Sequence, residues 1–118
     1  KTAFRRIVYQ EASLAEIKTS LLLLTRMLHI HYGKPVILLM DEYDVPVSKA
    51  SSNGYYQEML NVVKAILSTA LKDNPSLKFA VITGCLKITK ESIFTGTNNF
   101  VSDRLSDKNG FGFGCGII

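Results

Sequence analysis

The segment GKPVILLMDEYDVP, residues 33–46, decides the fold. Its centre, Val36–Met40, is an unbroken apolar run that ends at Asp41 and Glu42. A half-exposed antiparallel strand alternates apolar and polar residues, whereas a parallel strand covered on both faces is apolar throughout. Pro35, just before the run, is tolerated at the first position of a strand. The pattern therefore predicts an interior parallel strand, buried on both faces, with two acids at its carboxyl end.

A second apolar run, Leu77–Thr83, predicts another buried strand that ends at a polar residue. Between the two runs, Tyr55–Lys72 carries apolar residues at three- and four-residue steps, which indicates an amphipathic helix. Strand, helix and strand in this order form a crossover unit with parallel strands. Upstream, the same spacing predicts a helix over residues 13–32 that begins at a capping box of Ser13 and Glu16. The sequence thus predicts an α/β fold.

The remaining segments carry weaker patterns. Phe4–Tyr9 is expected to form a third strand, residues 48–54 a polar loop, and Thr89–Phe94 a short helix. Gly110–Gly116 alternates glycine with larger residues, so no helix or strand with a clear face is expected there. Parallel sheets usually contain about four or more strands. We therefore expect this chain, which opens at Lys1, to be a piece of a larger domain.

Composition bounds the class of protein. The 118 residues are 47% hydrophobic and 20% charged, which is typical of one globular domain and excludes a disordered polar chain. The net charge of +4 is scattered along the chain, so it permits an anionic partner without requiring one. Cys85 and Cys115 have no zinc-site spacing, and we expect free thiols in a reducing compartment, the cytoplasm. No secretory signal is found, and Leu21–Leu24 is far shorter than the ~20 residues of a membrane span, so no membrane partner is expected.

Acidic and polar side chains follow both predicted strands. Ligands of open parallel sheets bind beyond the carboxyl ends of the strands, so Asp41, Glu42 and Thr83 are expected at one rim. Four apolar residues followed by Asp-Glu form the arrangement called Walker B in nucleoside triphosphatases. There the first carboxylate holds Mg²⁺, and the second orients or deprotonates the attacking water. Thr83 would contact the γ-phosphate or that water, the role called sensor 1, whereas Asp44 is expected to structure the turn before Pro46.

Two blocks of this sequence resemble the predicted AAA-ATPase-like family. The first is the segment 33–46, and the second is LKFAVITGCLKITKESIFTGTNNF, residues 77–100. The similarity runs from residue 17 to residue 113. It implies an α/β fold, a partial three-layer P-loop NTPase-type parallel sheet with flanking helices over residues 1–113. Residues 114–118 would be an atypical glycine-rich tail.

The resemblance also implies a function. Asp41 would be the Mg²⁺ ligand, Glu42 the catalytic carboxylate and Thr83 the sensor residue. Lys87 stands where the family usually has arginine and would bind the nucleotide, although lysine lacks the fork that grips two phosphate oxygens. The implied cofactors are Mg²⁺ and ATP in the full-length protein. In this family the ATPase domain often precedes a PD-(D/E)XK nuclease-like domain, which implies nucleic acid as a further partner.

One motif of the family is missing from these 118 residues. The phosphate-cradling pattern G-x-x-x-x-G-K-[S/T] is not found, because Gly33-Lys34 is followed by Pro35. The resemblance places that loop upstream, on a strand beside the sensor strand. We therefore expect a partner in the upstream remainder of the ATPase domain, and feeble ATP binding by this chain alone. Leu77–Thr83 is expected to keep an unpaired apolar edge, and a cooperative thermal transition well above about 50 °C would contradict the resulting low stability.

Three other functions compete with an ATPase core. The chain could be a non-enzymatic interaction module, or an inactive truncated product. The string Asp41–Asp44 also fits a helicase of the DExD type, but Thr83-Gly84-Cys85 does not match the Ser/Thr-Ala-Thr group of those enzymes. A metal-dependent nuclease would need an acid two residues before a lysine on the next strand, and Lys78 has none.

Overall fold

The computed structural model describes residues 2–84 with their side chains and the backbone of residues 101–106 and 112–117. Five helices and four strands lie in these ranges. In chain order they are α1 (Thr2–Val8), α2 (Leu14–Lys18), α3 (Ser20–Tyr32), β1 (Val36–Met40), α4 (Val45–Asn53), α5 (Tyr56–Leu71), β2 (Leu77–Gly84), β3 (Val101–Ser106) and β4 (Gly112–Ile117). The short helix predicted for residues 89–94 lies outside the described residues.

The two predicted strands are neighbours and run in the same sense. β1 and β2 pair in parallel, with Val36 opposite Leu77 and Met40 opposite Ile82. Helices α4 and α5 connect them, which is the crossover that parallel strands require. The prediction of a parallel strand pair in a mixed α/β fold is confirmed, and its consequence is that the carboxyl ends of both strands lie at one rim.

The sheet continues on the far side of β2. The strand order is β1-β2-β4-β3, and β4 pairs antiparallel with both of its neighbours. Val81–Gly84 of β2 therefore has a partner, which makes the predicted unpaired edge wrong over these residues. The expectation of no strand in Gly110–Gly116 is also wrong, because β4 begins at Gly112. Backbone hydrogen bonds between strands need no side-chain face, so a glycine-rich segment can supply them.

The helices cover only one face of β1. Leu38 and Met40 point to the core, whereas Ile37 is 48% exposed and Leu39 is 73% exposed. Because successive side chains of a strand point to opposite faces, these two exposures describe the second face of the strand. The predicted burial of β1 on both faces is therefore wrong: no helix in the described part of the chain shields Ile37 and Leu39.

The core lies between the sheet and helices α4 and α5. Its buried members come from α4, α5 and β2: Val47, Ala50, Leu67, Ala70, Leu71, Ala80 and Ile82. Each large aliphatic side chain removed from water contributes roughly 1.5–3 kcal/mol to stability. The core thus holds the crossover helices against the strands that carry the candidate site.

Two segments near the site and the amino terminus differ from their predicted structure. Phe4–Tyr9 was predicted as a strand, but residues 2–8 form helix α1, which satisfies its own backbone without a strand partner. The predicted loop over residues 48–54 is mostly helix α4, whose Val47 and Ala50 enter the core. The sequence signal for helix α4 was weak, because only Val47 and Ala50 mark its apolar face.

The predicted helix over residues 13–32 is interrupted at Thr19. Its capping box is confirmed, since Ser13 N donates to Glu16 Oε2 at 2.7 Å and Glu16 N donates to Ser13 Oγ at 3.3 Å. The carbonyl of Lys18 accepts a hydrogen bond of 2.9 Å from Thr69 Oγ1 in α5. Thr19 Oγ1 and Ser20 Oγ also donate to carbonyls of the preceding turn, at Glu16 (3.3 Å) and Ile17 (2.7 Å). Hydroxyls thus compete for helix carbonyls where α2 meets α3.

A polar network joins α3 to the loop before β2. Asn74 Nδ2 donates to Oγ1 of the buried Thr25 at 3.0 Å, and Asn74 Oδ1 accepts from Ser76 N at 3.0 Å. Ser76 Oγ also lies 3.1 Å from His29 Nδ1. The Ser76 carbonyl accepts a hydrogen bond of 2.8 Å from Val36 N. The network fixes the start of both parallel strands, at the sheet end opposite the acids.

Candidate functional site

The carboxyl ends of β1 and β2 bring an acid and a hydroxyl together. The parallel register pairs Met40 with Ile82, so the next residues, Asp41 and Thr83, follow at the same level. The Thr83 hydroxyl donates a hydrogen bond to Asp41 Oδ1. Two of the residues selected from the sequence are thus in direct contact at one rim.

A second contact ties the acidic turn to β2. The backbone N–H of Tyr43 donates to the Thr83 carbonyl at 3.1 Å. Thr83 therefore binds the acidic turn through its side chain at Asp41 and through its main chain at Tyr43. These two bonds bracket Glu42 and hold it at the same rim as Asp41.

Glu42 has an uncommon backbone conformation. Its φ is +52°, in the left-handed region that a residue with a side chain enters at a cost of roughly 1–2 kcal/mol. Its carbonyl accepts a hydrogen bond of 3.0 Å from Val45 N, which closes the turn that leads into α4. The Glu42 residue is exposed, so its carboxylate is accessible to water and ligands.

The next two residues are buried to different degrees. Asp44 is only 5% exposed and occupies the residue before α4, where its carbonyl accepts from Ser48 N at 2.9 Å. Tyr43 is half-buried, and burial, followed by the negative charge of Asp44, raises the pKa of its phenol. No three His, Cys, Asp or Glu side chains gather into a metal cluster within the described ranges.

The donor set suits a magnesium ion bound together with a phosphate ligand. Mg²⁺ prefers oxygen ligands and is usually held by one or two carboxylates, with water and substrate phosphates completing its shell. Asp41 and Glu42 are exposed carboxylates on adjacent residues. An ionised carboxylate has about four acceptor positions, so the bond from Thr83 does not exhaust Asp41. The carboxylates at this rim could therefore hold a Mg²⁺ ion whose remaining ligands are water or phosphate oxygens.

Lys87 and Gly84 are the two other residues at which the predicted site is compared with the structure. Lys87 lies outside the described residues, so its role in nucleotide binding stays a prediction. Gly84 was missed as a site residue, although it packs directly against Tyr43 and Asp44. The available signal was its position, since a glycine inside or at the end of a strand often marks a close approach of another segment.

The described helices give one further negative observation. Within residues 2–84, where all the described helices lie, none is both long enough and apolar enough to cross a bilayer.

Comparison with known proteins gives the family. A protein described as "Uncharacterized protein in vnfD 5'region", from Azotobacter chroococcum mcd 1, is 30% identical over 77 residues. The match covers 64% of this chain and 15% of that relative, so the chain spans only a small part of the relative's length. No solved structure matches the chain. The family model described as "Predicted AAA-ATPase" matches residues 2–94, most of the chain, and the chain therefore belongs to the predicted AAA-ATPase family.

Proposed function

We propose that this chain carries the magnesium-binding and water-activating part of an ATPase. The observation that supports it best is the hydrogen bond from Thr83 to Asp41, because it joins the ends of two neighbouring parallel strands. Binding beyond the carboxyl ends of parallel strands is the general rule for α/β proteins. Membership of the predicted AAA-ATPase family supports the same proposal.

Each residue of the rim has a separate role in this proposal. Asp41 binds the Mg²⁺ of Mg²⁺–ATP, and the cation supplies neutralisation of the charge on the β- and γ-phosphates. Glu42 orients a water molecule and accepts its proton as the water oxygen bonds to the γ-phosphorus. The bond from that phosphorus to the β–γ bridging oxygen breaks, and ADP leaves with inorganic phosphate as the second product. The Thr83 hydroxyl, while it donates to Asp41, accepts a hydrogen bond from that water; to contact the γ-phosphate it turns from Asp41 and donates to a phosphate oxygen.

The complete phosphate site requires more than these residues. The 118 residues contain no G-x-x-x-x-G-K-[S/T] loop. In our proposal the loop belongs to the upstream remainder of a three-layer P-loop NTPase domain, and Lys87 contributes a cation. Without that loop the backbone N–H groups that cradle phosphates are lacking. This chain alone therefore binds ATP more weakly than micromolar and does not turn it over.

Metal binding by the isolated chain is the first experiment. Paramagnetic Mn²⁺ replaces Mg²⁺, and NMR follows the broadening of backbone amide signals. We expect strong broadening at Asp41, Glu42 and Thr83, and its loss in Asp41→Asn. Glu58→Gln, in the first turn of α5, is the matched control that keeps the broadening. Broadening that is spread evenly over all carboxylates would refute a metal site at this rim.

Hydrolysis is tested in the intact polypeptide that the proposal requires. Glu42→Gln keeps the size of the side chain but removes the base, so kcat for ATP is expected to fall about 100-fold or more while ATP still binds. Glu58→Gln serves again as the control with unchanged kcat. An unchanged kcat in Glu42→Gln would show that another group activates the water. Micromolar ATP binding by residues 1–118 alone would contradict the assignment of the phosphate loop to another segment.

A further inference from the structure

Gly84, the last residue of β2, lies so close to the Tyr43 ring that no residue with a side chain would fit at this position. A Cβ atom built on Gly84 would lie 2.6 Å from Cδ1 of Tyr43 and 2.8 Å from Oδ1 of Asp44, with Cε1 of Tyr43 closer still. Real Cβ atoms essentially never lie within 3.0 Å of such neighbouring atoms. The tyrosine ring therefore occupies the space that a side chain at position 84 would fill.

Tyr43 is held by two consecutive residues of β2. Its backbone N–H bonds to the Thr83 carbonyl at 3.1 Å, and its ring lies against Gly84. The residue two positions earlier, Asp41, accepts the hydrogen bond of the Thr83 hydroxyl. The only residue between these anchors is Glu42, so its backbone is constrained from both sides.

The conformation of Glu42 requires such a constraint. A φ of +52° is disfavoured for glutamate, and disfavoured backbone conformations persist only where the surroundings over-determine them. We infer that Tyr43 and Gly84 are a positioning pair: the ring seated on Gly84 keeps Glu42 in its left-handed conformation at the rim. This inference rests on the proposed function for the catalytic role of Glu42. The geometry that it describes does not depend on any ligand.

A positioning role differs from a contribution to packing alone. A packing contact would stabilise the fold wherever it lay, and its loss would act on the whole domain. The positioning pair lies directly beside Glu42, so its loss should move Glu42 first.

The test uses the 118-residue chain and four single variants. Gly84→Ala pushes the ring away, and Tyr43→Ala removes the ring without any clash. For both variants we expect the amide and Cα chemical shifts of Glu42 to move and its broadening by Mn²⁺ to weaken at least threefold. Tyr43→Phe keeps the ring and should retain the wild-type shifts and broadening.

Gly33→Ala is the matched control for loss of stability. Gly33 has a φ of +67° and no atom within 4 Å of an added Cβ, so alanine there strains the backbone without touching the rim. It should destabilise the chain and leave Glu42 unchanged. If Gly33→Ala moves Glu42 as much as Gly84→Ala does, or if Tyr43→Ala leaves Glu42 in place, the inference is wrong.

The two proposals fail separately. If the wild-type chain shows no local Mn²⁺ broadening, the metal site is refuted, and the chemical shifts of Glu42 in Tyr43→Ala and Tyr43→Phe still decide the positioning pair. If Mn²⁺ broadens Glu42 equally in the wild type, Gly84→Ala and Tyr43→Ala, the metal site stands and the positioning pair is refuted. Should Gly84→Ala fail to fold, Tyr43→Ala against Tyr43→Phe gives the decision.

Discussion

The hydroxyl of Thr83 donates a hydrogen bond to Oδ1 of Asp41, a residue 42 positions earlier in the chain. The contact exists because β1 and β2 are parallel and adjacent, so their carboxyl ends coincide. An antiparallel pair would place the ends of the two strands at opposite edges of the sheet. The acids that follow β1 and the hydroxyl that ends β2 thus belong to one site by the topology of the sheet.

This contact predicts an effect of removing the hydroxyl. Thr83→Val keeps the branched shape and loses the donor, so the free energy of unfolding should fall by about 0.5–1.5 kcal/mol. Thr83→Ser keeps the donor and should retain most of the interaction. Urea denaturation followed by circular dichroism measures both. A valine variant as stable as the wild type would show that the bond contributes nothing to stability.

The positive φ of Glu42 predicts that the glycine variant at this position is more stable than the alanine variant. Glycine enters the left-handed region without steric cost, so Glu42→Gly should be more stable than Glu42→Ala by about 1 kcal/mol. Asp41 is the matched control, since its φ is not positive and glycine should there be no better than alanine. Thermal or urea unfolding of the four variants gives the comparison. Equal stability of the two Glu42 variants would argue against a left-handed residue at this position.

The network around Asn74 predicts a larger loss. Asn74→Ala leaves the Ser76 N–H without its partner and the Thr25 hydroxyl with only its bond to the Leu22 carbonyl. An unsatisfied buried N–H costs roughly 1–3 kcal/mol. Asn61→Ala removes an exposed side-chain bond to Gln57 and should change stability by less than about 0.5 kcal/mol. Urea midpoints of the two variants should therefore differ clearly. Similar midpoints would mean that water replaces the network.

The pKa of Tyr43 predicts how stability changes at high pH. Burial, and then the charge of Asp44, raises the phenol pKa in the folded state, so folding favours the protonated form. This contribution is complete below the pKa of the unfolded chain, about 10, and is lost as pH rises through the higher folded-state value. Wild-type stability should fall above about pH 10, and Tyr43→Phe should fall less. Parallel curves for the two proteins would refute burial of the phenol.

Much of the site could be predicted because its signals are local. The apolar run Val36–Met40 and the acids that follow it are contiguous in sequence, and the helical spacing of Tyr56–Leu71 shows what connects the strands. The capping box of Ser13 and Glu16 was likewise readable, because its two hydrogen bonds span three residues. Patterns of this length report which face of an element is apolar and where the element ends.

The amino-acid sequence by itself determined the two strands, their parallel sense and the acids at their ends, because hydrophobic periodicity and chain order encode these features. Only the tertiary structure shows that Thr69 of the distant helix α5 donates to the Lys18 carbonyl beside the break at Thr19. It also decided that the Tyr43 ring packs against Gly84 and that the Leu39 side chain is exposed. The physical reason is that these features depend on which distant segments of the chain come into contact. A local sequence pattern shows that a surface is apolar, or that a residue lacks a side chain, but not which segment packs against it.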